Sequence, residues 1–135
     1  MTTHDAVTLS ITIAAPFEAA YDFAHRPANF AAWAAGLASS LRETDHGWVA
    51  DTPEGEARVT FSPRNPYGVL DHRVVLPDKP EVYIPLRMVE NGDGIEVSLL
   101  LLRQPGMTDE MFARDADLVR TDLATLKRVL EARAR

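Results

Sequence analysis

The chain has 135 residues, the length of one domain, and a domain of that size withdraws roughly 68–70% of its unfolded surface from water. Its 46% hydrophobic and 25% charged residues argue against disorder, and a net charge of −6 with no basic cluster repels a nucleic-acid backbone. The absence of cysteine excludes disulfides, thiol catalysis and zinc–thiolate sites, and no apolar run is long enough to span a bilayer.

The opening Met1-Thr2-Thr3-His4-Asp5 lacks the basic segment and apolar core of a secretion signal, so a cytoplasmic location is expected. Twelve of the fourteen basic residues are arginine, a bias that G+C-rich bacterial coding produces. Val7, Leu9, Ile11 and Ile13 alternate with Thr8, Ser10 and Thr12, and this period of two predicts a half-buried strand. Pro16 ends it and opens a short helix that places Phe17, Ala20, Tyr21 and Ala24 on one face, until Pro27 breaks it. A second short helix is expected over residues 29–35, bringing Phe30, Trp33 and Ala34 together, with Gly36 as its stop.

Strands then follow one another. Residues 41–44, 46–51 and 56–62 are separated by Asp45, Pro53 and Gly55, which reads as an antiparallel meander with Ala57, Val59 and Phe61 on one face. After a turn at residues 64–68, Leu70, His72, Val74 and Leu76 share a face while Asp71 and Arg73 point the other way. The strand over 81–89 sets Val82, Ile84, Leu86 and Met88 on one side, and its mid-strand Pro85 demands an edge or a bulge. Tyr83 and Arg87 share the opposite, solvent-facing side. Asn91-Gly92-Asp93-Gly94 is a hairpin turn into a strand over 95–103, whose apolar residues include Leu99. Leu102 stands where a calcium loop would need its twelfth acidic ligand.

The strongest periodicity comes last. Phe112, Ala116, Val119, Leu123, Leu126 and Leu130 recur at steps of four and three, one seam along a helix over residues 108–133 that is close to 40 Å long. Thr108 is its N-cap, Asp109 and Glu110 occupy the first turn, and Lys127, Arg128 and Arg133 crowd the other end, as the helix dipole favours.

One strand, two short helices, a run of strands and a long terminal helix define an α+β domain whose twisted sheet curls round the helix. The segments Ile11-Thr12-Ile13-Ala14-Ala15-Pro16-Phe17-Glu18-Ala19-Ala20-Tyr21, Asn29-Phe30-Ala31-Ala32-Trp33-Ala34-Ala35-Gly36-Leu37 and Asn65-Pro66-Tyr67-Gly68-Val69-Leu70-Asp71-His72 resemble the START-like or SRPBCC superfamily, including its polyketide cyclase/dehydrase-like members. The resemblance covers essentially the whole chain, residues 1–135, as a single domain. It implies a helix-grip fold, with about seven strands around the C-terminal helix and two short helices after the first strand. It also implies a cavity between sheet and helix that takes a small hydrophobic or aromatic molecule. Fold analogy alone assigns no reaction.

Within that frame His72 alternates with Leu70, Val74 and Leu76 and should face the inside, where burial favours neutral imidazole. It is the candidate acid or base of a cofactor-independent cyclase or dehydratase, or a group that orients a ligand carbonyl; the other reading is a core histidine satisfied by a hydrogen bond. The candidate ligand-binding set is Phe30, Trp33, Phe61, His72, Val74, Ile84, Leu86, Leu99, Phe112 and Val119, and for the aromatic members ordinary core packing is the favoured alternative. Asp115 and Asp122 border the helix seam, either as a solvated edge near Arg114 and Arg120 or as carboxylates at the cavity mouth. His4, His25 and His46 are scattered, and no metal-ligand, P-loop, dinucleotide or serine-hydrolase spacing occurs, so neither metal nor cofactor is expected. A third reading has no ligand at all: a protein-interaction module resembling the chaperone-ATPase activators of the superfamily.

Overall fold

In the computed structural model, which describes residues 1–35 and 40–135, the elements run in this order: β1 (Ala6–Ile13), α1 (Phe17–Ala24), a 3-10 helix (Pro27–Ala32), β2 (Arg42–Thr44), β3 (Gly47–Thr52), β4 (Gly55–Phe61), β5 (His72–Val75), β6 (Val82–Ile84), β7 (Leu86–Asn91), β8 (Gly94–Leu102) and α2 (Asp109–Arg133). The predicted stop at Gly36 lies outside the described residues. The second short helix is a correction: it starts two residues early, at Pro27, and is 3-10 rather than α. Phe30 and Trp33 are three apart, a spacing that a 3-10 turn aligns as well as an α-turn does.

β1 behaves as its alternation requires, with Leu9 and Ile13 buried, Val7 and Ile11 half-buried and the threonines exposed. It pairs antiparallel with β8 along its full length, from Ala6 opposite Leu102 to Ile13 opposite Ile95. α2 lies across β1 and β8 and buries Ala116, Leu123, Leu126 and Leu130. Its N-cap is the predicted one, since the Thr108 hydroxyl accepts the Met111 N–H at 3.1 Å. These chains meet Leu9, Ile13, Met88, Ile95, Val97, Tyr21 and Phe23 in one continuous core. Fully burying aliphatic side chains of this size contributes about 1.5–3 kcal/mol each.

The strand expected over 81–89 is two strands, which raises the count from seven to eight. Pro85 has no N–H to donate, so the ladder stops there. β6 pairs with β5, whereas β7 pairs with β8, and the sheets divide accordingly into β2-β3-β4-β5-β6 and β1-β8-β7. Each half is the outer strand of its own sheet, so the proline sits where the sheets part. Three backbone bonds hold the join: Leu70 N–H to the Leu86 carbonyl at 2.7 Å, Met88 N–H to Gly68 at 2.9 Å and Leu100 N–H to Pro85 at 3.0 Å. Gly68 makes the second of these possible, because its φ is +70° and a Cβ there would stand 2.0 Å from the Met88 carbonyl oxygen.

Asp71 repairs the break. It alternates away from His72 as expected, yet it is buried, not solvated. Its carboxylate accepts the Leu86 N–H at 2.9 Å, the Tyr83 hydroxyl at 2.6 Å and the Arg87 guanidinium at 3.0 and 3.3 Å. Tyr83 and Arg87 are exposed, as predicted, but they form a polar lid over this carboxylate.

Candidate functional site

The parting of the sheets opens the interior. Beyond the Leu100–Pro85 bond the two sheets diverge, and a cavity of about 230 Å³ lies between them and α2. One wall is Val82, Tyr83 and Ile84 of β6, a second is the end of β8 from Leu99 to Leu102 with Gln104, and a third is Asp115, Val119, Asp122 and Leu123 of α2. Phe30, Trp33, Ala34 and Ala35 close one side, and His72 sits in the β-wall.

Register places His72. Phe61, His72 and Ile84 stand opposite one another on β4, β5 and β6, so period-two alternation turns all three to the same face. The Phe30 ring packs edge-on against both Phe61 and His72, with centroids 5.6 and 5.3 Å apart. His72 is only 5% exposed. Its Nδ1 lies 3.2 Å from the Leu70 carbonyl oxygen; a carbonyl only accepts, so Nδ1 carries the proton and Nε2 the lone pair. Nε2 has no partner among the described residues. Burial holds the imidazole below its ordinary pKa, overriding the upward pull of the Leu70 carbonyl and the Asp71 charge, and the ring is neutral at pH 7. The geometry thus combines the two readings of this histidine: one nitrogen satisfies the backbone, and the ring borders open space.

The two α2 carboxylates line the cavity as well. Burial raises the pKa of Asp115 against the opposing influence of Arg114, and burial raises that of Asp122 against the bond it accepts from the Ala35 N–H at 3.1 Å. The Trp33 indole N–H is enclosed with no hydrogen-bond partner among the described residues.

Of the candidate set, Phe30, Trp33, His72, Ile84, Leu99 and Val119 border the cavity. Phe61 and Leu86 lie outside it and border a void of about 10 Å³ shared with Phe30, Trp33 and His72, and Phe61 also lines a separate surface groove with Trp48 and Arg64. Val74 and Phe112 are corrections. Val74 is buried farther along β5, opposite Val59 and Val82, outside both walls. Phe112 lies at the start of α2 with the Arg103 guanidinium 5.9 Å from its ring centre, also outside the cavity. Val82 was missed although it shares the Ile84 face. The Leu100–Leu102 wall and Gln104 carry no such signal, since they follow from where β8 leaves the sheet.

A curved antiparallel sheet gripping a long C-terminal helix, with a cavity between them, is a helix-grip fold. Solved structures share it. DynU16, from the dynemicin biosynthetic locus, superposes with a TM-score of 0.70 at 18% identity, over 96% of this chain and 48% of that one. XoxI from Bacillus cereus gives 0.72 at 13% identity over 93% and 94%, and an AHSA1-like protein from Rhizobium etli gives 0.67 at 20% over 97% and 84%. The chain thus spans about half the length of DynU16. At these identities the likeness is one of fold, and at that level the resemblance read from the sequence holds. No protein-family model and no curated protein matches the sequence. Among the described residues, no helix is long and apolar enough to cross a membrane, and no three His, Cys, Asp or Glu side chains converge as metal ligands would.

Proposed function

We propose that the chain is a single helix-grip domain that binds a small hydrophobic or aromatic molecule in the cavity beneath α2. The observation that carries this reading is an unfilled, mainly apolar cavity with one neutral, partly unpartnered imidazole in its wall. A few convergent polar groups in an apolar concavity orient a ligand, whereas a packed core leaves neither space nor free acceptors. Phe30, Trp33, Ile84, Leu99 and Val119 would supply the apolar contact, and His72 Nε2 would accept a hydrogen bond. Thermal shift against neutral aromatics of one to three rings tests it. A ligand specific for the folded state at about a hundred times its Kd stabilises by ~2.7 kcal/mol, a clear rise in Tm. Native mass spectrometry would show a co-purifying lipophile. If no compound shifts the melt, the protein-interaction reading replaces this one.

The free Nε2 also favours a second reading, in which His72 is the base of a cofactor-independent cyclase or dehydratase. A neutral imidazole with its lone pair toward an enclosed substrate meets the first requirement of a general base. Turnover lost in His72→Gln with ligand binding retained would separate catalysis from binding.

A further inference from the structure

Among the described residues, the charged groups facing the cavity are of one sign. Asp115 and Asp122 contribute carboxylates, and neither forms an ion pair among the described residues. His72, more than nine-tenths buried, offers the Nε2 lone pair. Of the donors nearby, the Tyr83 hydroxyl is held by Asp71 at 2.6 Å, one N–H of the Gln104 amide is held by the Leu102 carbonyl at 3.0 Å while the other is left over, and the Trp33 N–H is enclosed. Among the described residues, no Lys or Arg lines the wall. Arg103, beside Gln104, is bound to Asp109 at 2.7 Å and to the Met107 carbonyl, while Arg114 is an exposed neighbour of Asp115. A ligand carboxylate or phosphate would therefore meet acceptors and negative charge with no cation to offset them.

We propose that the cavity selects hydrophobic amines, with an apolar or aromatic body against Phe30, Ile84 and Val119 and a protonated amino group directed to one of the two α2 carboxylates, Asp115 or Asp122, which stand about 10 Å apart along the helix. This rests on the binding reading above. An ammonium is both the donor and the countercharge that these groups lack. It offsets the burial that each carboxylate already suffers, and the overall charge of −6 draws cations toward the surface. His72 Nε2 accepts a second donor, such as a hydroxyl, on the same molecule.

The test compares three probes of one shape, 2-naphthylmethylamine, 2-naphthalenemethanol and 2-naphthoate, by calorimetry on the intact chain. The amine should bind roughly tenfold more tightly than the alcohol and the carboxylate most weakly, as one partly screened charge pair predicts. In the double variant Asp115→Asn, Asp122→Asn, checked for cooperative melting, the amine should fall to within about twofold of an unchanged alcohol. Should that variant not fold, sodium chloride titration of the parent decides: the amine's advantage must shrink with salt while alcohol binding holds. An amine no tighter than the alcohol, or a carboxylate tighter than either, overturns the amine proposal and leaves the binding reading standing. If none of the three binds, the binding reading itself falls.

Discussion

Asp71→Ala should be among the most damaging single polar truncations in the chain. Removing the carboxylate leaves the Leu86 N–H buried beneath a residue that is 2% exposed, with no water to replace its 2.9 Å bond. A buried donor left unmet costs about 1–3 kcal/mol. Tyr83 and Arg87 lose their partner too, but they are exposed and regain water, so those bonds add no more than about 1 kcal/mol. The sum, roughly 1–4 kcal/mol, corresponds to a fall in Tm of about 10 °C at mid-range for a domain of this size. Asp71→Asn keeps an acceptor for Leu86 and should lose about half as much. Burial pushes the Asp71 pKa up, but the bonds from Arg87, Tyr83 and the Leu86 N–H outweigh it and hold the group below the ordinary carboxylate value. A depressed folded pKa gives stability that is complete above the unfolded pKa of about 3.9 and lost as pH falls through the folded value. The gap between parent and Asp71→Asn should therefore narrow in that acidic window and stay constant at neutral pH. Calorimetric melts at several pH values measure all of this. An Asp71→Ala protein melting within about 2 °C of the parent would refute the claim that this carboxylate repairs the break at Pro85.

Leu123→Asp should abolish the cooperative circular-dichroism melt, because a carboxylate placed at a position 2% exposed combines desolvation with lost packing, roughly 4–5 kcal/mol together. Gly68→Ala should lower the urea midpoint by the equivalent of about 3 kcal/mol or more, since its φ of +70° and the 2.0 Å approach to the Met88 carbonyl strain any Cβ. His72→Gln should leave the fold intact and weaken binding of a donor-bearing ligand. Its melt should also lose the parent's decline below about pH 6.5: a histidine held below its unfolded pKa of about 6.5 gives stability that is complete above that value and drains away as pH falls toward the folded one.

What the sequence shows well is whatever one element decides by itself. The seam of α2 and the alternation of β1 are local periodicities, and both reappear as the buried faces of those elements. His72 was legible because Leu70 and Val74 fix its face. The outward face of Asp71 is legible from the same alternation, but its burial is not, because its lid comes from Tyr83 and Arg87, 12 and 16 residues away, and no local pattern records that cover. Pro85 announced an interruption, but whether it meant a bulge or a division between sheets depends on which strands flank it. The α2 carboxylates were visible as neighbours of the seam. Their place in a cavity wall required knowing that β6 and β8 diverge opposite them.

That divergence links stability to the cavity. A continuous ladder from β5 to β8 would close the interior against α2, while an unrepaired gap would strand the Leu86 N–H. Asp71 resolves the conflict from the outer face, and alternation then turns the next residue, His72, inward. The chain thus keeps its fully engaged carboxylate on one side of β5 and its uncharged acceptor on the other. Burial outweighs the pull of the adjacent Asp71 charge, so the inner face stays neutral. The charge available to a ligand is consequently left to α2, where Asp115 and Asp122 face the apolar wall of β6 and β8. In the binding reading proposed above, the sheets would set shape and apolar contact, and the helix would set the sign of the charge that a ligand carries.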